Sequence, residues 1–158
     1  LLEGLTHAEE SVRRSSCYGL KISGSAHAMK ILPFVDNQRV SIRRLAVYAL
    51  GESSNGPNAQ VVRALLEALT KDPDDLVRSN AAYAMGQIFR CKDADFSLAI
   101  DALIQRLAPR VEPNNTVVAL FPRSTVRQSI AYSLLQAACN HEFSAAQIEK
   151  LLALRSIQ

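Results

Sequence analysis

Apolar positions along the chain fall into two alternating signatures. One packs apolar residues three or four apart: LLEGL at Leu1, ILPFV at Ile31, LLEAL at Leu65, LIQRL at Leu103 and LLALR at Leu151. The other opens on a β-branched aliphatic followed at once by arginine, and carries tyrosine six places on. It reads VRRSSCYGL from Val12, IRRLAVYAL from Ile42, VRSNAAYAM from Val77 and VRQSIAYSL from Val126. Its copies begin 30, 35 and 49 residues apart, so the unit is one supersecondary element joined by loops of variable length. Two alternating signatures predict two helices per unit.

Helical phase sorts the second signature into faces. At 100° per residue, offsets 4, 7, 8 and 11 from the opening aliphatic fall within about 80° of it. In the third copy these are Ala81, Ala84, Met85 and Ile88, all apolar, and they predict the buried stripe. Offsets 2, 3, 6 and 10 fall on another side, between about 200° and 300°. There stand Arg14, Ser15, Tyr18 and Ile22 in the first copy, and Arg44, Leu45, Tyr48 and Glu52 in the second. The third has Ser79, Asn80, Tyr83 and Gln87, and the fourth Gln128, Ser129, Tyr132 and Gln136.

Breakers and caps place the helix ends. A first helix ends by about residue 7, and its partner covers about 10–23 up to the stop Ser23-Gly24-Ser25. The next spans about 26–35 with Pro33 inside, which predicts a kink or a lost hydrogen bond. Helices follow at about 39–53, closed by SSNGPN at 53–58, and at about 59–71. Asp72-Pro73 reads as a helix start with proline in the first position, leading into about 74–90. Cys91-Lys92-Asp93 is a tight link to a helix over about 95–108, which Pro109 ends. Helices over about 124–139 and from a Ser144/Gln147 capping box to about 155 complete the set. Residues 109–123 break the rhythm: Leu107 to Val126 is nineteen residues where other copies have seven or eight. This insertion reads as a long loop whose apolar run from Val117 to Phe121 either folds back on the helices or protrudes for contact.

Composition narrows the function. With 18 basic and 15 acidic residues the net charge is +3, too mild to argue for nucleic acid. Cys17, Cys91 and Cys139 form no CxxC or Cys/His cluster, which predicts reduced thiols of a cytoplasmic type. The apolar runs are short and broken by charge, so no membrane span is expected. The chain opens at Leu1, inside a first-helix signature and without methionine, and is read as a fragment of a longer protein or as truncated at its N-terminus.

An LLxxL helix, a turn rich in Asp and Pro, and a V-R-x-x-A-x-x-A-L-G helix together resemble the HEAT repeat, closest to the class named after phycobilisome lyases. DPDDLVRSNAAYAMGQIFR, residues 72 to 90, follows that pattern nearly position by position, and Ile42 to Gly51 follow it well. The first copy departs at Ser16, the fourth at Ile130 and at Leu135 in place of glycine. The resemblance implies an all-α fold, a right-handed α-solenoid of about four repeats plus a terminal helix, with residues 1–158 as one domain. It also implies that the second helices line a concave surface.

The candidate residues follow from face and resemblance together. Tyr18, Tyr48, Tyr83 and Tyr132, with Arg14, Arg44, Asn80, Gln87, Gln128 and Gln136, are expected to line that surface and bind a protein or peptide. The alternative for the tyrosines is packing over one another between repeats. Arg14 and Arg44 make the N-terminal half basic, which suits an acidic segment. Arg13, Arg43, Arg78 and Arg127, with Glu10 and Asp74 or Asp75, are expected to form a structural ion-pair ladder. His7, His27 and His141 share no repeat position and have no ligand at metal spacing. No catalytic set, phosphate loop, metal site or cofactor motif is recognised.

The leading expectation is therefore a non-catalytic interaction scaffold. The alternative is a subunit or domain of an enzyme, since HEAT-like repeats occur in bilin lyases and DNA-repair glycosylases. Homo-oligomerisation through end helices is a third expectation, carried by Leu1, Leu2, Ile148, Leu151 and Leu152.

Overall fold

The computed structural model describes residues 1–22, 27–53, 58–91, 96–107, 110–111, 117–118 and 124–155. Eight α-helices occur among them: α1 (Glu10–Ile22), α2 (Ala28–Ile31), α3 (Val40–Ser53), α4 (Ala59–Lys71), α5 (Asp75–Ile88), α6 (Ser97–Leu107), α7 (Ser124–Asn140) and α8 (Ala145–Arg155). The four second-signature helices, α1, α3, α5 and α7, pack side by side in chain order. The first-signature elements form the layer behind them: a 3-10 turn at Glu3–Thr6, then α2, α4, α6 and α8. This is the arrangement of an α-solenoid, with each helix pair covered by its neighbours.

One apolar core runs through the stack from Leu5 to Ala137. The predicted stripe Ala81, Ala84, Met85 and Ile88 is buried, and so are Ala82, Gly86 and Phe89. The wider burial has a simple cause, since α5 is packed by α3 on one side, α7 on the other and α4 behind. Glycine makes the lateral contacts close. A Cβ on Gly51 would stand 2.5 Å from the Ala84 Cβ and nearer still to its Cα, and one on Gly86 would stand 3.0 Å from the Ser133 Cα. Only a residue without a side chain admits these approaches.

Two helix ends differ from the sequence reading. Pro33 does more than kink a helix over 26–35: α2 stops at Ile31 and the chain continues as a 3-10 turn, Leu32–Phe34, because proline has no N–H to continue the α-ladder. Pro73 is not the first residue of α5. Asp74 is its N-cap, accepting from the Val77 N–H at 2.9 Å, while Asp72 accepts from the Asp74 N–H at 2.9 Å. At the other breaker Asn58 caps α4 by accepting from the Gln60 and Val61 amides. The capping box at α8 is reciprocal, Gln147 N–H to Ser144 Oγ and Ser144 N–H to Gln147 Oε1.

Within the insertion, β1 (Arg110–Val111) and β2 (Val117–Val118) pair antiparallel, Arg110 with Val118 and Val111 with Val117. This two-residue ladder is the departure from an all-helical chain among the described residues. The stop at Ser23–Ser25, the centre of SSNGPN, Lys92-Asp93, Pro109 and the Ala119–Phe121 part of the apolar run lie outside the described residues.

Candidate protein-interaction face

The tyrosines stand where parallel helices bring the same offset side by side. Tyr48 and Tyr83 stack at 6.0 Å between ring centroids and 10° between planes, and Tyr83 and Tyr132 at 5.4 Å and 15°. Such ring pairs contribute about 0.5–1.5 kcal/mol each beyond burial. The stack half-buries all three rings. Tyr18 does not join it and remains 63% exposed.

Polar groups at offset 10 tie each ring to the preceding helix. The Tyr83 hydroxyl donates to Glu52 at 3.3 Å, and Gln87 Nε2 donates to the Tyr132 hydroxyl at 3.1 Å. In the first copy that offset is Ile22, and Lys21 substitutes for it: its ammonium sits 3.2 Å from Glu52 and 5.8 Å from the Tyr48 ring centre. The Glu52 hydrogen bond raises the Lys21 pKa, and burial followed by the Glu52 charge raises that of Tyr83. Serines and amides complete the junctions. Asn80 donates to the Arg44 carbonyl at 3.0 Å, Ser79 and Ser129 share a 2.7 Å hydrogen bond, and Ser133 donates to the Ala82 carbonyl. Gln136 is half-buried and Gln128 exposed at the α7 end.

The arginine pairs are resolved by what stands across from them. Arg44 makes two hydrogen bonds to Asp74, 2.9 and 2.6 Å, and Arg14 pairs with Glu10 on its own helix at 2.6 Å. The N-terminal half therefore carries paired rather than free positive charge. Arg44 also holds the Asp74 carboxyl down to about 2 from an ordinary 3.8. A carboxylate depressed in the folded chain stabilises it at pH values above its ordinary range, and that contribution drains away as the pH falls towards 2. Asp74→Asn is accordingly expected to flatten the loss of stability between about pH 4 and 2, in acid titrations followed by circular dichroism.

The next arginine series departs from the expected ladder. Arg13 donates to the carbonyls of His7 and Ala8, Arg43 to those of Asn37 and Gln38, and Arg78 to that of Asp72. They hold the turn between the two helices of their own repeat. Of this series Arg43 also reaches the next repeat, bonding Asp72 through Nε at 2.7 Å and Nη2 at 3.1 Å, whereas Arg78 pairs with Asp75 on its own helix. Arg127 is exposed.

A notch of about 350 Å³ opens where the tyrosine stack stops, lined by Arg14, Cys17, Tyr18, Arg44, Leu45, Tyr48 and Leu76 among others. Its walls are mostly apolar, with Glu10, Arg14, Ser41 and Arg44 as their polar part, and Tyr18 and Leu76 are exposed at its rim. The Cys17 thiol there donates to the Leu45 carbonyl at 3.4 Å, and burial, then the Glu52 charge, pushes its pKa up to about 11, which favours the thiol over the thiolate. The histidines carry one surprise. His141 Nε2 is 2.8 Å from the Phe89 carbonyl and its ring stands edge-on to Phe89 and Phe96, clamping the end of α7 to that of α5. Its chain position matches no repeat offset, so only the aromatic pair Phe89 and Phe96 could have suggested it. Among the described residues no three His, Cys, Asp or Glu side chains group as a metal site.

This paired-helix stack, with an aliphatic-arginine-tyrosine helix in every pair, has a counterpart among known families. A family model for HEAT repeats matches residues 28–120, more than half the chain, and the chain belongs to the HEAT repeat family. HEAT repeats generally mediate protein–protein interaction and are typically non-catalytic scaffolds. No curated protein sequence matches the chain. No helix among the described residues is long and apolar enough to cross a membrane.

Proposed function

We propose that residues 1–158 form one HEAT solenoid, with the 109–123 insertion as part of its fourth repeat, and that it serves as a non-catalytic scaffold. The partner is a protein segment that seats an apolar side chain in the notch between Tyr18, Tyr48 and Leu76, on the concave face of a right-handed superhelix. One observation carries this reading. Three tyrosines of the series are spent on stacking, while Tyr18 stands exposed beside a notch whose walls are mostly apolar. An exposed ring with a polar tip loses little entropy on contact. Charge complementarity is the smaller part, because an acidic segment would have to compete with Glu10 and Asp74 for Arg14 and Arg44.

Two substitutions separate binding from packing. Tyr18→Ala is expected to leave the melting temperature within about 2 °C of the parent, as surface changes do, while reducing partner capture from a lysate at least tenfold. Tyr83→Ala, which removes a ring stacked on both sides, is expected to destabilise the chain by about 3 kcal/mol. Undiminished capture by Tyr18→Ala would place the partner elsewhere.

A further inference from the structure

The fourth place of the first signature changes from repeat to repeat, and each choice alters the seam with the repeat before it. The residues there are Gly4, Phe34, Ala68 and Arg106 in turn. Phe34 and Arg106 are half-buried. Arg106 reaches back across the seam between repeats three and four, where its Nη2 donates to the Thr70 carbonyl at 3.0 Å. Thr70 stands two places after Ala68, and the equivalent place in the second repeat is Asp36. Between repeats two and three, in the interior of the stack, the chain thus has only the methyl group of Ala68 where the next seam has its arginine. A cleft of about 350 Å³ opens there, and Asp36 and Ala68 both line it, with Val35, Glu67, Asp72 and Pro73.

The charges around the cleft select its occupant. Arg43 and Asp72 are bonded to each other, while Arg63 and Lys71 stand 3.6 and 3.8 Å from Glu67. Asp36 is exposed and its carboxylate has no partner among the described residues. Thr70, its equivalent one repeat on, turns its hydroxyl onto its own helix and donates to the Leu66 carbonyl at 2.8 Å. The seam that supplies its own arginine therefore presents a neutral, locally satisfied side chain at this place. The seam without one presents a carboxylate. A guanidinium suits such a site better than an ammonium, because its planar fork can meet a carbonyl and a carboxylate together while its aliphatic stem lies along the apolar wall.

We propose that this cleft receives an arginine side chain of a partner protein, which takes across the second seam the place that Arg106 holds across the third. The cleft shares no lining residue with the Tyr18 notch, so the two sites stand or fall separately. Titration of the whole nitrogen-15-labelled chain with N-acetyl-arginine N-methylamide, followed by amide chemical shifts, is expected to give saturable changes at Asp36, Asn37, Ala68 and Asp72 in the millimolar range. The citrulline analogue, alike in shape and without charge, gives none. Asp36→Asn, at an exposed site that tolerates the change, weakens the arginine probe about fivefold or more. Ala68→Arg supplies the missing side chain from within, and that chain melts no lower than the parent and no longer responds to the probe. Equal shifts from the citrulline analogue, or undiminished binding by Asp36→Asn, overturn the proposal. So does a folded Ala68→Arg chain that still binds the probe. Free L-arginine bound about tenfold tighter than the blocked form would mark a small-molecule site and overturns it as well.

Discussion

Gly51→Leu is expected to destabilise the chain by about 3 kcal/mol or more, a fall of roughly 10 °C in melting temperature. The reason is the backbone of α5. A Cβ at position 51 already overlaps Ala84, and what it meets first is main chain and a Cβ, neither of which can rotate aside. Room for a whole isobutyl group requires α3 and α5 to separate, which also pulls apart the stacked Tyr48 and Tyr83 and the Asn80 hydrogen bond to the Arg44 carbonyl. Gly51→Ala should show a smaller loss in the same direction. Thermal melts of the two variants within 2 °C of the parent would mean that the helices do not approach so closely.

Asp72→Ala is expected to cost a similar amount, about 3 kcal/mol, by another route. The Arg43 and Asp72 side chains are only 14% and 8% exposed, so the guanidinium left behind would be a charge with little access to water. The carboxylate also accepts the Asp74 amide, so its loss loosens the cap of α5. Buried pairs are usually cheaper to replace as a pair than to halve, and Arg43→Met with Asp72→Leu should recover much of the loss. Urea unfolding of the single and double variants tests this. A single variant with an unchanged midpoint would show that water, not Asp72, satisfies Arg43.

The helical plan was legible in the chain itself. The β-branched aliphatic, arginine and tyrosine at constant offsets located α1, α3, α5 and α7 to within a residue or two, and the apolar spacing gave α4 at its observed bounds. Periodicity gives a residue's angle on its own helix, however, and is silent about what stands across the gap. That is why Arg44 read as free positive charge when its partner, Asp74, lies thirty residues on. For the same reason Ala82 and Gly86 fell off the predicted stripe although α7 covers them. Asp72-Pro73 reads in the sequence as the start of α5, whereas in the structure Asp74 caps the helix through the Val77 amide and Asp72 is held across the gap by Arg43. The tyrosines, one class by spacing, divide by neighbourhood into three that hold repeats together and one that meets solvent.

That stacked column also has an optical consequence. The chain contains four tyrosines and no tryptophan, so its near-ultraviolet spectrum is a tyrosine spectrum. Rings held nearly parallel at 5.4 and 6.0 Å couple their transitions and give a circular dichroism signal that vanishes when they part. The chain thus carries its own reporter of whether neighbouring repeats are in register, readable without any attached dye.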